Sequence, residues 1–423
     1  MTANGSMNGA KGALAPIRIC DFSGQLAGAG ATRFFAAFGA QVIRIEDRLS
    51  QGGWDIFRGN GPYKDERRGT NLGGMFNNHN VEKLGITLNA KSERGKELLR
   101  EIISISDVVT ENFSAGVIER WGFPYEEMRR IKPDIIYVSN CGFGHRGPYT
   151  HFKTWGPVVQ AVSGLTFQSA LPDMPPAGWG FSHMDHTGGY FMAIAILMAL
   201  YHRNKTGEGQ YIDMSCTDAA LTLNGPALLD YTVNGRPLRR DGSPHSNRNV
   251  FPPMSPHGIY KAKGDDRWVA ISARDDAEWH AVCDVIGQPE LTADARFATL
   301  QSRLDGENQD ALDTIIEAWT RERSAFEVQD KLQAKGVAAA VVQKPEDRMD
   351  LDANSLAWDT FPEVKHLEMG DVRVEGIPMK LSETPAKIKK GAPVLGEDND
   401  FFYDEILVVD KAEQQELHDK GVI

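Results

Sequence analysis

IRICDFSGQLAGAGATRFFAAFGAQVIRIED spans residues 17–47, and its reading decides the fold. IRICDF (17–22) is a short, branched apolar run, as a buried strand is. GQLAGAG supplies the turn, and ATRFFAAF carries apolar residues at helical spacing. Gly39 stops the helix, and QVIRIE (41–46) reads as a second strand. A strand, a helix and a strand at this spacing make a βαβ unit, which requires parallel strands.

Outward from this unit the alternation continues. DVVTENF (107–113), DIIYVSN (134–140) and QYIDMS (210–215) read as strands, with SERGKELLREIIS (92–104) and PYEEMRRIK (124–132) as helices between them. Such alternation predicts a doubly wound α/β domain. Near residue 225 the pattern changes. NGRPLRRDGSPHSNRNVFPPMSPHG (234–258) has linker composition. GIYKAKGDDRWVAISA (258–273) reads as a hairpin, and three helical segments follow around 276–287, 310–323 and 325–336. A small α+β domain is expected there. Short strands (VAAAVVQ, DVRVEG) and a charged helix (AEQQELHDKG) close the chain.

A chain of 423 residues is long for one core, so two domains are expected. The net charge of −12 argues against a general nucleic-acid or anionic-membrane binder. Cys20, Cys141, Cys216 and Cys283 lie far apart without CxxC spacing, so neither a disulfide scaffold nor a structural zinc site is expected. Residues 1–16 lack the features of a signal peptide and read as a disordered lead-in. The apolar run Tyr190–Tyr201 is shorter than the roughly 20 residues that span a bilayer. A cytoplasmic protein is expected.

Three places carry candidate chemistry. The loop Gly24–Gly30 follows a strand and opens a helix, where backbone N–H groups receive phosphates. Glu46 and Asp47 stand where a ribose-binding acid would, but the spacing is G-x-x-x-G-x-G, with Arg33 in place of the third glycine. A nicotinamide or flavin site is therefore disfavoured; another phosphate-bearing ligand and a simple packing turn both stay open. His183, Asp185 and His186 form H-x-D-H, read as structural or substrate-contacting side chains in preference to metal ligands. Asp185 precedes Thr187-Gly188-Gly189 and YFMAIAILMALYHR, which is apolar on nearly every face and is expected to be buried. At that helix start a carboxylate is expected to be held ionised, as a nucleophile must be. The two glycines leave room for a reacting group. From these residues alone an N-cap is the better reading of Asp185, with a nucleophile the alternative.

The chain resembles the class III CoA-transferases, a group that includes formyl-CoA and carnitine CoA-transferases and α-methylacyl-CoA racemase. DFSGQLAGAGATRFFAAFGAQVIRIED, NVEKLGITLN, DVVTENFSAGVIERWGF, DIIYVSNCGFGHRGPY, HMDHTGGYFMAIAILMALYHRNKTGEGQYIDMS, SPHGIYKAKGDDRWVAIS, DARFATLQSR and LSETPAKIKKGAPVLGED carry the likeness, in order, over nearly the whole chain. The resemblance implies a Rossmann-like large domain built from both chain ends (17–225 plus 340–423), a smaller α+β domain (226–339) and an interlaced homodimer. It implies CoA transfer from an acyl-CoA donor such as succinyl-CoA to a carboxylic acid, through an aspartyl mixed anhydride and an aspartyl-CoA thioester on Asp185. No permanently bound cofactor or metal is implied; CoA enters with the substrates. CoA contacts are implied at Gln25, Leu26, Ala27, Lys83, Asn112, Phe113 and Arg120. Oxyanion donors are expected near Gly188 and Gly189 or in the 242–249 loop.

Departures qualify the specificity. Cys141 replaces a lysine of formyl-CoA transferase, and SPHSNRN (243–249) replaces its Gly-rich loop, which puts oxalate or formate specificity in doubt. The racemase histidine would fall near Trp155, where this chain reads TWGPVVQ, so racemase activity is disfavoured; His151 and His183 as substitute bases keep racemase or isomerase activity as the alternative. One subunit of a heteromeric transferase is a third reading. Trp155, Phe167, Met174, Trp179 and Phe181 suggest a roomy apolar acceptor pocket.

Overall fold

The computed structural model describes residues 12–169, 174–180, 182–239, 247–249 and 251–423. The chain divides into two compact units, one comprising 1–167, 178–225 and 353–423, the other 168–177 and 226–352. Residues 1–11 of the expected lead-in lie outside the described residues. Leu14, at its end, packs into the core and donates its N–H to the Phe38 carbonyl at 3.0 Å.

In the first unit six strands form one parallel sheet: β1 (Arg18–Asp21), β2 (Gln41–Glu46), β3 (Leu84–Thr87), β4 (Val108–Glu111), β5 (Ile136–Cys141) and β6 (Tyr211–Ser215). Their order is β3-β2-β1-β4-β5-β6. β1 to β5 are buried over most of their length because helices cover both sheet faces. β3 was not singled out as a strand: LGIT is four residues long and borders a buried lysine. The order reverses between β1 and β4, and ligands of such sheets bind at the carboxyl ends of the strands beside that switch point.

Both chain ends contribute to this unit. Tyr403 donates to the Thr87 carbonyl at 2.7 Å, and Asn77 Oδ1 accepts the Ala392 N–H at 2.8 Å. A hairpin, β10 (Glu363–His366) with β11 (Gly370–Arg373), adds to it.

The long helix His183–Thr206 corrects one expectation. Met184, Gly188, Met192, Ile196 and Leu200 form its buried face. Ile194, Leu197, Met198 and Tyr201 point outward, the last two 67% exposed. Within one chain the sheet covers only one side of a helix, so an all-round apolar sequence leaves an uncovered stripe. Among the described residues no helix is long and apolar enough to cross a membrane.

The second unit has a three-stranded antiparallel sheet, β7 (His257–Lys261), β8 (Trp268–Ser272) and β9 (Ala338–Val341), with β8 central. Trp279, Val282, Leu312, Ile316, Val328 and Leu332 pack with it into one core. The boundary expected between 339 and 340 falls inside β9. Val341 stands opposite Val269 in this sheet, so strand pairing carries the unit on to Asp352.

Candidate active site

A cleft of about 280 Å³ opens at the carboxyl ends of β1, β4 and β5. Gln25 and Ala27 come from the loop after β1, Asn112–Ala115 from the loop after β4, and Asn140–Phe143 from β5 and its end. Asp185 and Cys216 come from two helix starts. Among the described lining residues Asp185 is the one carboxylate, and none is a histidine.

The loop after β1 is held by side chains. The Ser23 N–H donates to Asp21 at 3.0 Å, the Gly24 N–H to Asn112 at 2.7 Å and the Gln25 N–H to Asp55 at 3.1 Å. Asn112 returns a bond from its Nδ2 to the Gly24 carbonyl at 3.0 Å. Gly28 makes this approach possible, since a Cβ there would lie 2.9 Å from Asn112 Cγ. The amides that a phosphate would need at Ser23–Gln25 are therefore occupied, two of them by carboxylates, and the phosphate reading of these amides falls. The dinucleotide reading falls too, because Glu46 is buried in an ion pair with Arg58.

The implied CoA contacts separate. Gln25, Ala27, Asn112 and Phe113 line the cleft. Leu26 does not: it is buried with Phe57, Phe76 and Ala392. Lys83 is fully buried and donates to Asp21 (3.0 Å), the Ala29 carbonyl (3.2 Å), Thr32 (2.7 Å) and Asn80 (3.0 Å). Burial lowers its ammonium pKa to about 8 against the opposing pull of Asp21. With its donors spent, Lys83 pins β1 to the start of β3 and offers nothing to a ligand. Arg120 is exposed at the end of the short helix Val117–Arg120 and does not line the cleft.

Asp185 is not the N-cap. That position is Ser182, in a left-handed conformation with φ 62°, and Asp185 sits in the first turn. Nor is its charge favoured there. Burial raises its carboxyl above the usual aspartate range, with a hydrogen bond from Ser182 pulling the other way. Desolvation outweighs the Ser182 hydrogen bond. Gly188 and Gly189 are buried and lie beyond the free first turn, so their N–H groups belong to the helix. Added Cβ atoms would meet Cys216 Sγ at 2.7 Å and the Ala27 carbonyl at 2.9 Å. They are packing glycines and not oxyanion donors. Of the 242–249 loop only 247–249 is described.

His183 and His186 do not converge. His183 neighbours Trp179, and His186 neighbours His79, with ring centroids 5.7 and 5.5 Å apart. No group of three or more His, Cys, Asp or Glu that could hold a metal occurs among the described residues. His151 and His183 are exposed and do not line the cleft, so neither stands as a second base there. Of the aromatic set, Trp155 lines the cleft, Phe167 and Trp179 are partly exposed, Met174 belongs to the other unit, and Phe181 lies outside the described residues.

The structure adds Asn140, Lys153 and Cys216, which the sequence did not single out. Cys216 donates its S–H to Asn140 Oδ1 at 3.0 Å. Burial and the neighbouring Asp185 push the Cys216 thiol up to about 12, and burial pushes Cys141 up to about 11. Both are therefore protonated, poor nucleophiles at neutral pH. Beneath Asn112, the buried Glu111 accepts from the Phe113 N–H at 2.7 Å and from Tyr137 at 3.2 Å. Burial pushes its carboxyl up to about 7.

A parallel sheet with a cleft at its switch point, and one aspartate among the described residues that line it, defines an α/β protein with a candidate active site. Residues 14–399 match the family model described as CoA-transferase family III. The chain belongs to CoA-transferase family III and is a CoA-transferase acting on CoA-linked substrates. It is 30% identical over 407 residues to succinyl-CoA–D-citramalate CoA-transferase of Chloroflexus aurantiacus, covering 96% of this chain and 97% of that one. It is 32% identical to formyl-CoA:oxalate CoA-transferase of Streptomyces coelicolor, with 97% and 99% covered. A CAIB/BAIF family protein from Brucella suis superposes with TM-score 0.82 at 27% identity, covering 93% of this chain and 99% of that one.

Proposed function

We propose that this enzyme moves CoA from an acyl-CoA donor to a free carboxylic acid with Asp185 as the covalent relay. The observation that carries the reading is that Asp185 is the one carboxylate among the described residues of the cleft, partly desolvated and beside the protonated thiol of Cys216. An Asp185 carboxylate oxygen attacks the thioester carbonyl carbon of the donor. The C–S bond breaks, and CoA leaves as thiolate from a mixed anhydride. The thiolate then attacks Asp185 Cγ, displacing the donor carboxylate and leaving an aspartyl-CoA thioester. The acceptor carboxylate attacks that thioester, and the returning thiolate takes the acceptor acyl group, restoring Asp185. Both net partners are a thioester and a carboxylate, so the exchange is close to isoenergetic and the protein supplies mainly positioning.

Gln25, Ala27, Asn112 and Phe113 are the CoA-side wall in this reading. The names of the relatives, which pair succinyl- or formyl-CoA with carboxylic acids, support a short-chain donor such as succinyl-CoA. Lys153 lines the cleft, and its positive charge suits an anionic group on a substrate. The uncovered apolar stripe of the long helix supports a homodimer, interlaced as in the family, with the two compact units as its domains.

The test is trapping. The enzyme is incubated with succinyl-CoA and hydroxylamine, and peptides are read by mass spectrometry. A hydroxamate on Asp185, and loss of at least 1000-fold in kcat for Asp185→Ala, are expected. Full turnover by Asp185→Ala with no adduct would end the reading.

A further inference from the structure

The short helix Gly156–Val162 begins beside Asp185. Gly156 is buried, and a Cβ built on it would lie 2.4 Å from Asp185 Oδ2 and 3.0 Å from Cγ. Both distances are at or below the closest approach of real Cβ atoms. The third nearest atom is the Ser182 Cα, at 3.3 Å. Backbone conformation does not call for glycine here, because Gly156 is not among the residues with positive φ. A side chain here would thus meet the end of Asp185 first.

We infer that Gly156 is a positioning residue for the transfer reaction: the bare Cα seats one oxygen of Asp185 and so aims the carboxylate along the cleft. The inference rests on the reading of Asp185 as nucleophile. Its physical content is an asymmetry. An alanine methyl would collide with the far end of a flexible side chain, which can rotate away at little cost to the fold. The same rotation removes the carboxylate from its line of attack. A displacement of about 1 Å of a reacting group costs on the order of 100-fold in rate. The Ser182 contact asks only a few tenths of an ångström of the backbone. Alanine is also a better helix former than glycine, which offsets part of that strain. Gly156 therefore matters to turnover far more than to folding, the reverse of Gly188 and Gly189, whose neighbours are a buried thiol and a backbone carbonyl.

Gly156→Ala tests this in the full-length enzyme. The expected result is a melting temperature within about 3 °C of the parent. KM for succinyl-CoA stays within threefold, kcat falls roughly 100-fold, and hydroxylamine trapping at Asp185 falls in parallel. A kcat within threefold of the parent overturns the inference. So does general unfolding, or a rise in KM alone, since either would make the contact a packing one. Asp185→Ala is run alongside. If Asp185→Ala is dead while Gly156→Ala is active, only the seating role fails. If Asp185→Ala turns over, the nucleophile reading fails and takes this inference with it.

Discussion

Lys83 Nζ lies 3.0 Å from Asp21 Oδ2, both side chains fully buried, joining the start of β3 to the end of β1. Thr32 and Thr110 also donate to Asp21, at 2.8 and 2.9 Å. The loop that forms one cleft wall therefore stands on a closed polar network, and Lys83 is its cation. Removing one partner of a buried pair leaves the other charged and dry. Lys83→Met should destabilise the protein by about 3–5 kcal/mol in urea unfolding. A stably folded variant with only a raised KM for acyl-CoA would instead return Lys83 to the CoA contacts.

The acid limb of the rate profile should belong to Asp185. The nucleophile must be deprotonated, and burial raises its carboxyl above the ordinary aspartate range. Activity should rise with pH through a midpoint above about 3.9 in kcat/KM. Replacing Ser182 with alanine removes the hydrogen bond that holds the carboxyl down, so the midpoint should move further up. A midpoint that stays put in Ser182→Ala, or moves down, would contradict this placement.

Glu111 should set part of the stability profile. Its folded-state pKa, about 7, exceeds the usual glutamate value, so the folded protein binds a proton that the unfolded chain has released. Stability contributed by the protonated form is complete below about pH 4.3 and is lost as pH rises toward 7, by up to ~3 kcal/mol. Glu111→Gln cannot titrate and should lack that slope. Chemical denaturation of both proteins at pH 5 and pH 8 measures it; equal pH slopes would refute the assignment.

The outward stripe on the long helix should be an interface. Met198→Asp with Tyr201→Asp places two charges on it without touching the buried face. Light scattering should then show a lower mass than for the parent, with far-UV circular dichroism unchanged. An unchanged mass would mean that this stripe covers nothing in a dimer. Exposed apolar patches of this extent usually mark an interaction site.

Much of the fold was legible in neighbouring residues. QVIRIE is β2 end to end, and the helix expected at 92–104 runs from Glu93, with Ser92 capping it through the Gly95 N–H at 3.1 Å. Period and caps are local properties, written within a few residues of where they act. The site was legible only in part. Asp185 with its glycine pair could be picked out, but whether a side chain faces a cleft depends on partners far along the chain. Lys83 finds Asp21 across 62 residues, and Asn112 finds Gly24 across 88. The run Asn80-Val81-Glu82-Lys83 has the same letters whether its lysine meets CoA or pins the core.

The sequence by itself determined the alternation of strand and helix, the parallel sheet and the presence of one carboxylate at the head of an apolar helix. Tertiary structure decided what that carboxylate is: a first-turn residue lying on Gly156, dry enough for burial to raise its carboxyl above the usual aspartate range. It also decided that the β1 loop spends its amides on Asp21, Asn112 and Asp55. Periodicity fixes which way a segment folds because each residue needs only its neighbours. Solvation and reach are set by whatever packs alongside, and only the folded chain brings those residues together.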